Sequence, residues 1–127
     1  MQDERLYDFV GQHLLVSYTE CDSQALRDIS GLANAMRDAI KASGATLLNE
    51  VSHIFTNHGC TMLFLLSESH ASIHTYPEHN SCFIDLFTCG YSCFPEKFDL
   101  ALQKYLRPQG VDSRILRREN TAIDQYV

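Results

Sequence analysis

Two extended segments, separated by a few polar residues, constrain this chain more than any other feature. Thr61 to Leu66 (Thr-Met-Leu-Phe-Leu-Leu) is a nearly continuous apolar run of strand length. Ala71 to Tyr76 (Ala-Ser-Ile-His-Thr-Tyr) alternates with the period of a half-buried strand. Ser69 therefore stands where a loop enters a strand. The stretch from Leu66 to Glu78 also packs a Glu-Ser pair, two histidines four residues apart and a second carboxylate into 13 residues.

The remaining elements follow from turn and capping residues. His13 to Tyr18 reads as a first strand. Asp22 or Ser23 caps a helix in which Leu26, Ile29, Leu32, Ala33, Met36 and Ile40 recur at helical spacing, and Gly44 occupies the left-handed position that ends it. Ala45 to Phe55 is rich in apolar and β-branched residues and reads as a strand, with the Asn57-His58-Gly59 turn leading into Thr61. Cys82 to Thr88 is a further strand, closed by Cys89-Gly90. Pro95 opens a second helix with Phe98, Ala101, Leu102 and Tyr105 on one face. Pro108-Gln109-Gly110 breaks it, Val111 to Arg117 forms a last strand, and residues 120–127 read as a frayed end. At 127 residues the chain makes one domain. Helices separated by runs of strands predict an α+β fold, a two-layer sandwich of a mainly antiparallel sheet with two helices on one face. The pattern alone also admits a ferredoxin-like arrangement.

Charge and composition narrow the function. A formal net charge of −6 argues against a nucleic-acid binder, and Arg114, Arg117 and Arg118 read as a solvated edge rather than a phosphate site. No apolar run approaches the roughly 18–20 residues that span a bilayer. The start, Met1-Gln2-Asp3-Glu4-Arg5, lacks the features of a signal peptide. Five cysteines with no Cys-x-x-Cys pair suit thiols in a reducing compartment. A cytoplasmic protein is expected.

A Ser-His pair on a strand is ordinarily structural. A zinc site on His70 and His74 is disfavoured, because residues four apart in a strand lie about 13 Å apart. Thus no metal is expected. The segment itself resembles the processing site of the short prokaryotic S-adenosylmethionine decarboxylase proenzymes, Glu-Ser-His-x-Ser/Thr-Ile-His-Thr-x-Pro-Glu. Further agreement comes from Asp85-Leu86-Phe87-Thr88-Cys89-Gly90, which matches that family's Asp-x-Phe-Thr-Cys-Gly. Gly11-Gln12-His13-Leu14 and Gly44-Ala45-Thr46 resemble its N-terminal motif and its helix-to-strand junction. The resemblance runs from about residue 9 to residue 118.

The resemblance implies the sandwich fold, and it implies a cofactor made from the chain itself. Glu68–Ser69 becomes the scissile pair, dividing the protein into residues 1–68 and 69–127, and Ser69 becomes a pyruvoyl group that forms a Schiff base with the substrate amine. His74 matches the processing base and Thr61 a hydroxyl that assists processing; the family has serine there, so slower processing is expected. Cys89 matches the proton donor, Glu78 the carboxylate that binds the ribose of S-adenosylmethionine, and Phe55 and Phe9 the aromatic side chains that stack on its adenine. The implied activity is decarboxylation of S-adenosylmethionine for spermidine synthesis, by a homodimer of processed protomers that needs no metal activator.

Three departures lie near the implied pocket: Tyr76 for the usual Trp, His79-Asn80-Ser81-Cys82-Phe83 after Glu78, and Tyr91-Ser92-Cys93-Phe94-Pro95-Glu96 in place of a more acidic loop. They leave open a pyruvoyl-dependent decarboxylase of a basic amino acid such as arginine or ornithine. An unprocessed homologue that regulates an active partner is the third reading.

Overall fold

The computed structural model describes residues 10–67, 69–89 and 93–119. Six strands, β1 (Val10–Thr19), β2 (Leu47–Ile54), β3 (Cys60–Leu66), β4 (His70–Tyr76), β5 (Ser81–Cys89) and β6 (Gly110–Glu119), form one sheet in the order β2-β3-β4-β5-β1-β6. Every neighbouring pair is antiparallel. The helices are α1 (Ser23–Arg27), α2 (Ile29–Ser43) and α3 (Pro95–Leu106), and a single 3₁₀ turn spans Pro77–His79. The strands from β2 to β5 are consecutive neighbours, and the N-terminal β1 lies between β5 and β6. This is the α+β sandwich expected from the order of elements, with the ferredoxin-like alternative excluded by the strand order.

The single helix expected from Asp22 to Gly44 is broken into α1 and α2. Asp22 caps α1 by accepting from the Ala25 N–H at 2.9 Å, and Asp28 then caps α2 by accepting from the Gly31 N–H at 3.0 Å. The Asp28 backbone is extended (φ −79°, ψ 94°), so a short polar side chain replaces one turn of the ladder and redirects the chain. Gly44 ends α2 with φ 92°, the left-handed conformation expected of it.

Period-two alternation divides the sheet into two unlike faces. Leu14, Val16 and Tyr18 of β1, Met62, Phe64 and Leu66 of β3, Ala71 and Ile73 of β4, and Ile84 and Leu86 of β5 are buried. They share one core with Leu26 of α1, Leu32, Met36 and Ile40 of α2, and Phe98, Leu102 and Leu106 of α3. A buried polar contact crosses this layer: the Tyr18 hydroxyl donates to the Asp99 carboxylate, whose other oxygen accepts from Ser113 at 3.0 Å. Burial, and then Asp99 beside it, push the Tyr18 phenol far above its ordinary value. Asp99 thereby ties α3 to β1 and β6.

The opposite face carries Leu15, Leu63, Leu65, Phe83 and Leu116, all exposed, among histidine, serine and aspartate side chains. Among the described residues no helix covers it, and none is long and apolar enough to cross a membrane. The strand register keeps this face away from the helical layer.

The burial pattern separates two neighbouring positions of α3. Phe98→Ala is expected to cost about 3–5 kcal/mol in denaturant unfolding, whereas Leu100→Ala, on the exposed side of the helix, stays within about 0.5 kcal/mol. Comparable losses at the two positions would contradict the assigned core.

Candidate active site

The β3–β4 pairing runs from Thr61↔His74 to Leu65↔His70. It continues one rung further: the Leu66 N–H donates to the Ser69 carbonyl at 3.0 Å, and the Ser69 N–H to the Leu66 carbonyl at 3.4 Å. Ser69 therefore closes a two-residue hairpin connection, and the preceding Ser67 N–H is tied to the Thr46 carbonyl at 3.0 Å. Glu68, Phe9 and Gly90 lie outside the described residues. Cys89, at the end of β5, pairs with Gly11, two positions beyond the Phe87 that faces His70. Ser69 and Cys89 thus share one end of the sheet.

A polar cluster adjoins that end on the uncovered face. His13 Nε2 lies 2.8 Å from Asp85 Oδ2, His70 Nε2 lies 3.6 Å from the same oxygen, and Ser72 donates to Asp85 Oδ1. The His70 ring stacks on Phe87 with centroids 5.9 Å apart, and His13 meets Phe87 edge-on at 5.5 Å. A β-carbon at Gly11 would come within 2.5 Å of the Phe87 ring, so glycine is needed to admit it. Burial would raise Asp85, but the bonds from Ser72 and His13, with His70 nearby, hold its carboxyl below the usual range.

His13, His70 and Asp85 offer three possible metal-ligand atoms within 4.8 Å of one another. Both Asp85 oxygens already have partners, so internal hydrogen bonds account for the cluster. His70 and His74 do not converge: the first turns to Asp85 and the second to Thr61.

Thr61, His74, Phe55 and Glu78 gather at the other end. Thr61 Oγ1 and His74 Nδ1 are 3.1 Å apart on facing positions of β3 and β4. Phe55, half exposed just beyond β2, meets His53 edge-on with centroids 4.7 Å apart. Glu78 sits in the 3₁₀ turn after β4 and accepts from Asn57 Nδ2 at 2.8 Å. Arg27 holds that turn by donating to the Pro77 carbonyl at 2.9 Å and to Asn80 Oδ1 at 3.1 Å. Five residues of extended chain separate His74 from Ser69, about 16 Å. The residues singled out from the sequence therefore fall into two groups at opposite ends of one strand.

The S-adenosylmethionine decarboxylase family model matches residues 12–119. That range includes both groups and nearly every described element. The chain belongs to the S-adenosylmethionine decarboxylase family. It is 38% identical over 116 residues to an S-adenosylmethionine decarboxylase proenzyme of Methanococcus maripaludis, covering 91% of this chain and 95% of the relative. It is 42% identical over 113 residues to one of Parasynechococcus marenigrum, covering 89% and 88%. The fold is similar to the crystal structure of the adenosylmethionine decarboxylase from Aquifex aeolicus, with TM-score 0.76 and 28% identity over 89% of this chain and 93% of that one. The family and the proenzyme names of its members imply the pyruvoyl-dependent class in general.

Within this S-adenosylmethionine decarboxylase fold, the sequence points to no catalytic or substrate-binding role for His13, His70, Ser72, Asp85, Asn57 or Arg27; His70 enters there only as a disfavoured zinc ligand. Alternation along β4 and β5 puts Ser72 and Asp85 on the uncovered face, but only the register brings them to His13 and His70. Arg27 lies on a helix with no sequence signal linking it to residues 77–80. Arg114 and Arg117 pair with Asp112 and Glu119 on the exposed β6, as expected of a solvated edge.

The depressed Asp85 carboxyl carries a pH signature. Its stabilisation is fully present above the ordinary carboxylate value of about 4 and is lost as pH falls through its lower folded value. In a Ser69→Ala background, Asp85→Asn is expected to cost about 1–3 kcal/mol at neutral pH. That deficit should shrink as pH falls below the ordinary carboxylate value of about 4 in urea unfolding. A deficit independent of pH would contradict the assignment.

Proposed function

We propose that this protein cleaves itself between Glu68 and Ser69, converts Ser69 into a pyruvoyl group, and decarboxylates S-adenosylmethionine to the aminopropyl donor for spermidine synthesis. The observation that carries the reading is the division of the site. Ser69 and Cys89 lie at one end of the sheet, and Thr61, His74, Phe55 and Glu78 gather at the other, about 16 Å away along β4. One protomer cannot bring its own His74 to its own Ser69. Two protomers stacked through this face about a two-fold axis lay the Ser69 end of one on the His74 end of the other. The same stacking buries Leu15, Leu63, Leu65, Phe83 and Leu116, which are otherwise left in water. The homodimer then has two equivalent sites, each built from both chains, and works in the cytoplasm.

Processing uses the chain's own groups. The Ser69 hydroxyl attacks the Glu68 carbonyl carbon; the new C–O bond replaces the Glu68–Ser69 amide bond, giving an ester and a free amine. His74 of the facing protomer, held by Thr61, takes the Ser69 α-proton, and the Cβ–O bond breaks to release Glu68 as a new C-terminus. The dehydroalanine left at position 69 tautomerises and hydrolyses to pyruvoyl with loss of ammonia.

The surroundings of Ser69 fit such a group. Its carbonyl oxygen is held by the Leu66 N–H. Thr88, one position beyond the Phe87 that faces His70, is buried, and its hydroxyl has no partner among the described residues. A carbonyl formed at residue 69 offers an acceptor on the neighbouring rung. When present, the pyruvoyl group supplies the electron sink for loss of the substrate carboxyl group. Cys89 beside it delivers a proton to the substrate Cα. From the facing protomer, Glu78 accepts hydrogen bonds from the ribose hydroxyls and Phe55 stacks on the adenine.

Mixed dimers test the divided site. Ser69→Ala alone and His74→Ala alone are each expected to remain without pyruvoyl, while co-expression yields cleaved, pyruvoyl-bearing His74→Ala chains served by the His74 of the Ser69→Ala partner. Pyruvoyl formation in His74→Ala alone, or none in the mixture, would contradict it. Wild-type protein is expected to release CO₂ from S-adenosylmethionine and not from arginine or ornithine; activity on the amino acids alone would sink the substrate assignment.

A further inference from the structure

Asn57 and Glu78 lie in different loops, 21 residues apart, and one hydrogen bond joins their side chains. The Asn57 amide is divided between two neighbours that fix its orientation. Its Oδ1 accepts from the Gly59 N–H at 2.9 Å, which leaves Nδ2 to donate to Glu78 Oε2 at 2.8 Å. The loop on the Asn57 side is closed by its own backbone: the Phe55 N–H donates to the Gly59 carbonyl at 2.8 Å, and the His58 N–H to the Phe55 carbonyl at 3.1 Å. Phe55, Asn57 and Gly59 are therefore tied into one hydrogen-bonded unit. The Glu78 turn is held from its other side by Arg27. The two loops also touch, since a β-carbon at Gly59 would lie 3.2 Å from the Pro77 ring.

We infer that Asn57 is a positioning residue that locks the Phe55 loop to the Glu78 turn, presetting the clamp for the nucleoside part of the substrate. The inference rests on the proposed roles of Phe55 and Glu78 in substrate binding. Asn57 donates to Glu78 Oε2, and Oε1 is the oxygen that would accept a ribose hydroxyl. Glu78 is exposed on a short turn and has three freely rotating bonds. Fixing it in the folded protein removes an ordering cost from substrate binding. No atom of Asn57 needs to reach the reacting carbon, so its loss falls on binding rather than on chemistry.

Asn57→Asp separates this role from a structural one. It keeps the acceptor for the Gly59 N–H but replaces the donor facing Glu78 with a second carboxylate. In the processed enzyme, KM for S-adenosylmethionine is expected to rise about tenfold at pH 8. The kcat should change by less than about twofold. Two carboxylates this close share a proton as pH falls, so the ratio of variant to wild-type KM should decline towards about pH 6. Asn57→Ala should raise KM by a ratio that stays flat with pH. A wild-type KM for Asn57→Asp, a pH-independent ratio, or a chain that stays uncut would overturn the inference. Glu78→Gln is the control for the underlying reading. An unchanged KM in that variant removes Glu78 from the clamp and the inference with it. A raised KM there beside a normal Asn57→Asp removes Asn57 alone.

Discussion

Antiparallel pairing of β3 with β4, carried through to the Leu66–Ser69 rung, is the constraint on which the rest of this structure depends. Its hydrogen bonds fix the register, and in a strand the register decides which face every side chain occupies. The pairing sets Ala71 and Ile73 into the core while His70, Ser72 and His74 face away from the helices. It also fixes a length. An extended chain is stiff, so Ser69 and His74 cannot approach each other without dismantling the rungs between them. The proposed site, built from both ends, would then be completed by a second copy.

The described helices all serve one side of the sheet. The other side is neither apolar enough to be a buried core nor polar enough to be an ordinary solvent face. It alternates exposed leucine and phenylalanine with a hydrogen-bonded cluster around Asp85. A face of this composition suits a paired layer in which apolar contacts hold the protomers together and the polar cluster lies beside the chemistry. On the proposed function, the same arrangement would account for His74 and Ser69 standing on a scaffold too rigid to join them within one chain.

Much of this was legible in the sequence because it depends on local rules. Gly44 marks the end of α2 because the position needs positive φ. Period-two alternation marks β4, and the short polar segment before it places Ser69 at a strand entrance. The break at Asp28 was hidden because apolar residues keep helical spacing on both sides of it; only the capping tendency of aspartate signals the interruption. The contact of Thr61 with His74 was hidden for a different reason. Motif positions assign both to processing, but only the strand register shows that they face each other. The separation of His74 from Ser69 could have been read from strand geometry, as it was for His70 and His74. The link from Asn57 to Glu78 had no sequence signal, since two loops meet there through the fold.

The central claim is that this chain makes its own cofactor at Ser69. Intact mass of the purified wild-type protein tests it most directly, before any substrate is added. Two chains are expected, residues 1–68 and residues 69–127, the second lighter by one ammonia than a chain beginning with serine. A single full-length chain that persists after prolonged incubation would contradict it.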